Sequence, residues 1–455
     1  MNKYSKKIFS SLLFLSVVFF NGCDSNNNEK TTITILGENS SNLQAMEVLK
    51  SEYEKKNNVT IDFKPNTFEN AFNKANQDFA NKTGQYDIVL QYNFSLSSFV
   101  RNKFVYQLSE LEDKIPDSLR SFEKDLFPNA WKEVGYYYKN PENPTSEITQ
   151  IGYPFAANTM VMVYNKELFN NEKNKKAFKI KYKEELLVPK DWNQFIKVAE
   201  FFTKENMQID KNTYGVCMQG AIGGWLYYEF CNYLYGLEGS VMNKQYGWEG
   251  NQTTDLNLTS TESIKATEFY ISMKEYNAGN YLTVDQNEQL KIIREGNVAM
   301  AFVWSDYLYG LAYDENGNAN STYGFVPIPG NKSALAGGSF YINQQSKNPV
   351  EALKYIMSLM QEENQIALAK IGLCSPLRTT YNSPEMQNIP YNDALKQSLE
   401  RGIYMFEAGP EADLINQTLT KYIQELWQGK ISVKQALYHA QDEIETGRIE
   451  IYKNL

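Results

Sequence analysis

The 455-residue sequence holds a single histidine, His439, and four cysteines. One histidine excludes a multi-histidine zinc centre, and any Ser-His-Asp triad or Cys-His dyad would have to be built around His439. Its neighbours Tyr438, Ala440 and Gln441 carry no such pattern, which predicts a helix-surface residue. Glycine-rich phosphate loops are missing as well, so nucleotide chemistry has no support. Positive charge is short: 45 Lys and Arg face 54 Asp and Glu, a net charge of −9 without a basic tail or stripe. Nucleic acid is therefore not an expected partner. The Lys-rich run Glu172–Glu185 is interleaved with Glu and reads as a solvated face. Neither a metal nor a cofactor is expected.

What the sequence has in quantity is aromatic residues, 14% of the chain with 32 Tyr, 25 Phe and 6 Trp. Two readings stand side by side: core packing, and a site that recognises flat apolar faces such as sugar rings. With 42% hydrophobic and 22% charged residues the composition is that of a soluble globular protein. The length predicts at least two domains.

Residues 1–23 read as a processing segment. Lys3, Lys6 and Lys7 precede an apolar run, Ile8–Phe20, of about 13 residues, where a spanning helix needs about 20. The run ends in Phe20-Asn21-Gly22-Cys23. Gly-Cys after such a run resembles a lipoprotein cleavage site, departing from the usual pattern at Phe20 and Asn21, and implies lipidation of Cys23; ordinary secretion is the rival. The polar stretch 24–30 reads as a flexible tether. Cys217, Cys231 and Cys374 then remain, and a Cys217–Cys231 bridge and buried free thiols are both open.

From Thr31 the pattern alternates. Thr31–Leu36 is a β-rich strand followed by Gly37-Glu38-Asn39-Ser40-Ser41 and a helix with Leu43, Met46, Leu49 and Tyr53 at helical spacing. Ser40 or Ser41 is the expected cap. Val59–Phe63 is a second strand. Phe68–Phe79 is a helix with Phe68, Ala71, Phe72, Ala75 and Phe79 on one face, and Tyr86–Leu90 a third strand that ends in Gln91-Tyr92-Asn93. Such βαβα alternation predicts a parallel sheet flanked by helices, with ligand groups at the strand ends.

Gly152–Phe169 is the stretch around which the rest is organised. Thr159, Val161 and Val163 alternate with Met160, Met162 and Tyr164, as in a strand buried on both faces. Further on, Pro189–Phe195 opens a helix with Asp191 as cap. Gly220–Gly224 feeds Trp225, and Ile292–Ala301 leads through Phe302-Val303 to Trp304-Ser305-Asp306. Tyr323–Gly330 reads as a return crossing, and Ala336-Gly337-Gly338 as a glycine-marked loop into a strand. A loop at Gly372–Arg378 and a closing helix pair, Leu414–Trp427 and Ser432–Ile444, follow.

These segments, in this order over about residues 31–447, resemble bacterial extracellular solute-binding proteins of the maltose-binding-like class. The strand Thr31–Leu36, Tyr86–Leu90, the crossover Gly152–Phe169, the turn at Pro189–Trp192, Ile292–Ala301, the Ile371–Arg378 loop and Trp427–Leu437 carry the likeness. The resemblance implies a periplasmic-binding-protein-like α/β fold of two lobes joined by a hinge, with a ligand cleft between them. It implies an N-terminal lobe of residues 31–155 plus 327–378 and a C-terminal lobe of 156–326 plus 379–455.

It also implies ligand contacts at Glu38, Asn39, Tyr92, Asn93, Trp225, Trp304, Ser305, Asp306, Gly338 and Arg378. Several have a plainer alternative. Glu38 and Asn39 are loop residues, Trp225 would suit a core, Ser305 and Asp306 would suit a helix cap, and Arg378 would suit a salt bridge. The implied function is an extracytoplasmic, lipid-anchored substrate-binding protein of an ABC importer, a monomer that binds a carbohydrate by hinge closure and presents it to a permease. The rivals are a binder of a phosphate ester or peptide, a sensor-linked binding lipoprotein, and a secreted glycoside hydrolase using Glu38 and Asp306.

Overall fold

The computed structural model describes residues 30–138, 147–205, 213–222, 224–242, 255–404 and 411–453. Cys23 and all but the last residue of the tether lie outside these.

Two sheets organise the chain. The first has five strands: β1 (Thr31–Glu38), β2 (Val59–Asn66), β3 (Ile88–Tyr92), β4 (Gly152–Ala156) and, far along the chain, Gly338–Ile342. The second has four: β5 (Met160–Asn165), β6 (Tyr214–Val216), β7 (Val298–Trp304) and β8 (Tyr323–Val326). Numbering Gly338–Ile342 as β9, the spatial orders are β2-β1-β3-β9-β4 and β8-β5-β7-β6. β1 runs parallel to β2 and β3, as the βαβα pattern predicts. The expectation of an all-parallel sheet fails at β9, which is antiparallel to both β3 and β4. The reason is topological. β4 is the strand by which the chain leaves this sheet and β9 the strand by which it returns, so neither joins it through a helical crossover.

The organising stretch does what its pattern asks. β4 ends at Ala156 in the first sheet and β5 begins at Met160 in the second, so three residues, Ala157, Asn158 and Thr159, carry the chain across. β5 lies centrally, between β8 and β7, which is why Met160–Val163 are buried on both faces. β7 is longer than the sequence suggests, and all seven of its residues are buried.

Four helices matter for the cleft: α1 (Ser41–Asn57), α2 (Phe68–Asn81), α3 (Trp225–Gly236) and α4 (Ala412–Trp427). α2 begins at a Thr67 cap whose side chain accepts from Asn70 N. α3 follows Gly224 at φ 99, a left-handed backbone that glycine adopts without a Cβ clash. Trp192 is structural, as expected: its Nε1 donates to Gly236 O at 2.9 Å from a buried position. The three described cysteines are buried free thiols, which settles the open question against a Cys217–Cys231 bridge. His439 is exposed on the last helix, beside the ring of Tyr422. Among the described residues no helix is long and apolar enough to cross a membrane, and no group of three potential metal ligands occurs.

Candidate functional site

The crossing strands form a hydrogen-bonded floor between the sheets. Ser305 N donates to Thr159 O at 2.8 Å, and Thr159 N donates back to Ser305 Oγ at 3.1 Å. Thr159 Oγ1 donates to Ala334 O, and Ala336 N to Asn158 O. A third passage of chain ties in at Cys374, whose amide donates to Asn42 Oδ1 at 2.9 Å while Ala157 N donates to its carbonyl. Asn42 Nδ2 in turn donates to Asn158 Oδ1. Buried backbone at a crossing needs such partners, and here they are neighbouring passages of the same chain.

Above this floor lies a cavity of about 310 Å³. Its walls come from the C-terminal ends of strands in both sheets, where open α/β sheets present ligand groups. β1 ends at Glu38, β3 at Tyr92 and β7 at Trp304, and all three line it. Phe68 and Phe72 of α2, Trp225 and Tyr228 of α3, and Tyr307 add aromatic surface. Asp306 and Asn158 lie at depth, while Glu69, Asn73, Asp413 and Asn416 stand nearer the rim.

The polar geometry is specific. Tyr92 Oη donates to Glu38 Oε2 at 2.5 Å, orienting that carboxyl. Trp304 is 5% exposed, meets the edge of Tyr228 at a centroid distance of 5.0 Å and 87°, and has no acceptor for its Nε1 hydrogen. Asp306 is likewise 5% exposed, and its Oδ1 has no partner. Burial, and secondly the Glu38 charge, push the Asp306 carboxyl from 3.8 up to about 8. Burial also raises Glu38, against the lowering effect of the Tyr92 hydrogen bond. Buried donors and acceptors without partners cost free energy, and a ligand that supplies them recovers it.

Of the residues singled out in the sequence, five line the cavity: Glu38, Tyr92, Trp225, Trp304 and Asp306. The other five do not. Asn39 is exposed, and its Oδ1 accepts from Gln44. Asn93 is buried beside β3, with neither amide atom hydrogen-bonded. Ser305 belongs to the floor, where its hydroxyl also accepts from Cys374 Sγ. Gly338 is packed under Phe155; a Cβ there would meet Phe155 Cε1 at 2.4 Å. Arg378 is exposed and donates to Lys124 O at 2.8 Å, away from the cavity.

Sequence reasoning put Phe68 and Phe72 on one face of α2 with Ala71, Ala75 and Phe79. The structure splits that face. Ala71, Ala75 and Phe79 go to the core, while Phe68 and Phe72 are half-buried at the cavity. The five positions span about 100° of the helix, the ordinary width of a core-facing stripe, so the sequence held no signal for the split. Tyr228 follows Trp225 at i+3, a spacing that places both on one side of α3.

A profile of bacterial extracellular solute-binding proteins matches residues 49–394. The chain belongs to that family. Family membership places this solute-binding protein outside the cytoplasm. Solved structures share its fold at low identity. One is an ABC transporter solute-binding protein from Agrobacterium radiobacter in complex with ribitol. It has a TM-score of 0.74 and 19% identity, covering 91% of this chain and 98% of that one. The maltose-bound MalE3 of T. maritima has a TM-score of 0.73 at 15% identity, covering 91% and 99%. A solute-binding protein from Thermotoga lettingae bound with alpha-D-tagatose has 0.73 at 17%, covering 92% and 99%. These likenesses support a two-lobed fold with a cleft between the lobes.

Proposed function

We propose that this solute-binding protein is the substrate-binding lipoprotein of an ABC importer, anchored through Cys23, and that its ligand is a carbohydrate. The observation that carries the reading is the cavity itself. Rings of Trp304, Trp225, Tyr228, Phe68 and Phe72 enclose unpartnered polar atoms of Asp306 and Trp304. Flat apolar faces edged with hydroxyls are what such a wall accommodates. Structural relatives carrying ribitol, maltose and tagatose support it.

The lobe division is part of the proposal. The expected first segments, 31–155 and 156–326, shift: Ala156 still belongs to β4 of the first sheet, so we end the first lobe's segment at 156 and extend the second lobe's to 332. We place the return crossing at residues 333–337, since Gly330 N still donates to Lys190 O beside the second sheet and β9 begins only at Gly338. Ligand bound to both walls stabilises the closed form through its contacts to each, and the closed form is what a permease would read. An acidic cavity argues against a phosphate ester. Hydrolysis is not part of the reading, and purified protein incubated with oligosaccharides is expected to release no reducing sugar.

The test is thermal unfolding against a panel of mono- and oligosaccharides, after copurified ligand has been removed by unfolding and refolding. A ligand at 100 times its Kd adds about 2.7 kcal/mol. One sugar class raising the midpoint bears the reading out; a folded protein that no sugar shifts overturns it. Anchoring is tested separately, by labelling cells with a fatty acid and comparing wild type with Cys23→Ala. Incorporation lost in the variant is expected, and an unlabelled wild type would leave ordinary secretion.

A further inference from the structure

The cavity contains acid and no base. Glu38 and Asp306 face it from the two sheets, and Glu69 and Asp413 stand at its rim. None of the described residues lining it is Lys, Arg or His. In the ligand-free cavity burial and the Glu38 charge keep a proton on Asp306, and a cationic ligand between the two carboxyls is what would let both ionise.

Two further observations say what is missing. Asp306 Oδ1 is an acceptor without a donor, on a side chain that is 5% exposed. Trp304 Nε1 is a donor without an acceptor, at the same depth. A ligand that completes the site must therefore bring both a donor and an oxygen acceptor. The aromatic rings around them favour a cation over a neutral group, because a ring face attracts positive charge. A plain alkylamine would answer Asp306 and leave Trp304 unsatisfied.

We propose that the ligand is an amino sugar, with its protonated amine between the Glu38 and Asp306 carboxylates and a ring or hydroxyl oxygen on Trp304 Nε1. The inference rests on the carbohydrate reading above and narrows it. Tyr92 holds the Glu38 carboxyl toward this position through its 2.5 Å hydrogen bond. Tyr307, Tyr92 and the Cys374 thiol are the other titratable groups beside the pair; burial first, and the neighbouring carboxyl charges second, raise all three, so they are neutral at physiological pH. Nothing in the wall therefore competes with the ligand as the countercharge.

The experiment is calorimetric titration of the refolded, ligand-free protein with three oligosaccharide series of one linkage. These are glucosamine oligomers, their N-acetylated counterparts, and glucose oligomers; spermidine serves as an amine that is not a sugar. The glucosamine series is expected to bind at least tenfold more tightly than the other two. Glu38→Gln and Asp306→Asn are each expected to weaken that series at least tenfold. Both should weaken the glucosamine series more than they weaken the glucose series, and thermal melts of both variants establish that they fold. Neutral or N-acetylated sugars binding as tightly as the amines would overturn the amino-sugar inference while leaving the carbohydrate reading intact. Spermidine binding where no sugar binds would overturn the carbohydrate reading and the amino sugar with it. A folded Asp306→Asn that binds glucosamine oligomers like wild type would remove the ammonium from its assigned place and overturn the inference.

Discussion

The hydroxyl of Ser41, at the start of α1, donates to the main-chain carbonyl of Asp306, 265 residues away, at 2.5 Å. Gly372 O lies 3.0 Å from the same oxygen. Sequence reasoning gives Ser40 or Ser41 a capping role. Ser40 does occupy the cap position, but no side-chain cap bond forms, and the Ser41 hydroxyl spans the two lobes instead. The residue that it fixes, Asp306, is at the base of the cavity. Ser41→Ala is expected to cost the closed form about 1 kcal/mol, read as a roughly fivefold higher Kd. Small-angle scattering at sub-saturating ligand should show a less compact protein.

Trp304 lines the cleft, and Arg378 stands outside it. Trp304→Ala removes a buried ring together with its edge contact to Tyr228, and such a truncation costs about 2 kcal/mol of binding, roughly thirtyfold in Kd. Arg378→Ala removes only an exposed bond to Lys124 O and should leave Kd unchanged. Calorimetry on both variants with the same ligand is the check. Equal affinities in the two would remove Trp304 from the binding wall.

Asp306 makes the empty protein sensitive to pH. Its carboxyl moves from 3.8 to about 8 because burial disfavours the charge and Glu38 repels it. The compact state thus holds a proton that an open or unfolded chain releases. Stability from this group is complete below 3.8 and is lost as pH rises toward about 8. From about pH 4 to about pH 8 the melting temperature of Asp306→Asn is expected to gain on that of the ligand-free wild type, and to level off above that. Parallel pH profiles for the two proteins would contradict the assignment.

Gly338 is a packing position. An added Cβ would sit 2.4 Å from Phe155 Cε1 and 2.8 Å from Gln91 O. Overpacking of this kind costs about 1–3 kcal/mol. Gly338→Ala should lower the melting temperature while leaving saturating ligand binding intact. Binding lost without a change in melting temperature would return Gly338 to the site.

The thiols offer a count. Cys217, Cys231 and Cys374 are buried and unpaired, and burial pushes all three thiols up. An aromatic disulfide reagent should react with none of them in the native protein and with all three after denaturation. Protein taken from membranes should show no fourth thiol if Cys23 is lipidated. A fourth thiol there would count against the anchor.

The fold was legible because its signals are local. Strand and helix periodicities at 31–100 and the doubly buried run at 159–164 depend only on which residues recur at which spacing. So did five of the cavity residues, Glu38, Tyr92, Trp225, Trp304 and Asp306, because each follows or ends a recognisable strand or glycine loop. Position next to a strand end was not enough for Asn39, Ser305 or Gly338. Nothing local tells whether a side chain there turns to the cleft, to solvent or to the crossing chain.

The sequence by itself determined the alternating strands and helices of an α/β chain and the buried run Thr159–Val163 at its crossing. Tertiary structure alone decided the antiparallel return of β9, the split of the α2 face between core and cavity, and the meeting of Glu38 with Asp306. The physical reason is separation along the chain. A carboxyl is unremarkable in its own segment and acquires a raised pKa only when folding removes its water and brings up another charge. Pairing across some 270 residues leaves no periodicity to read.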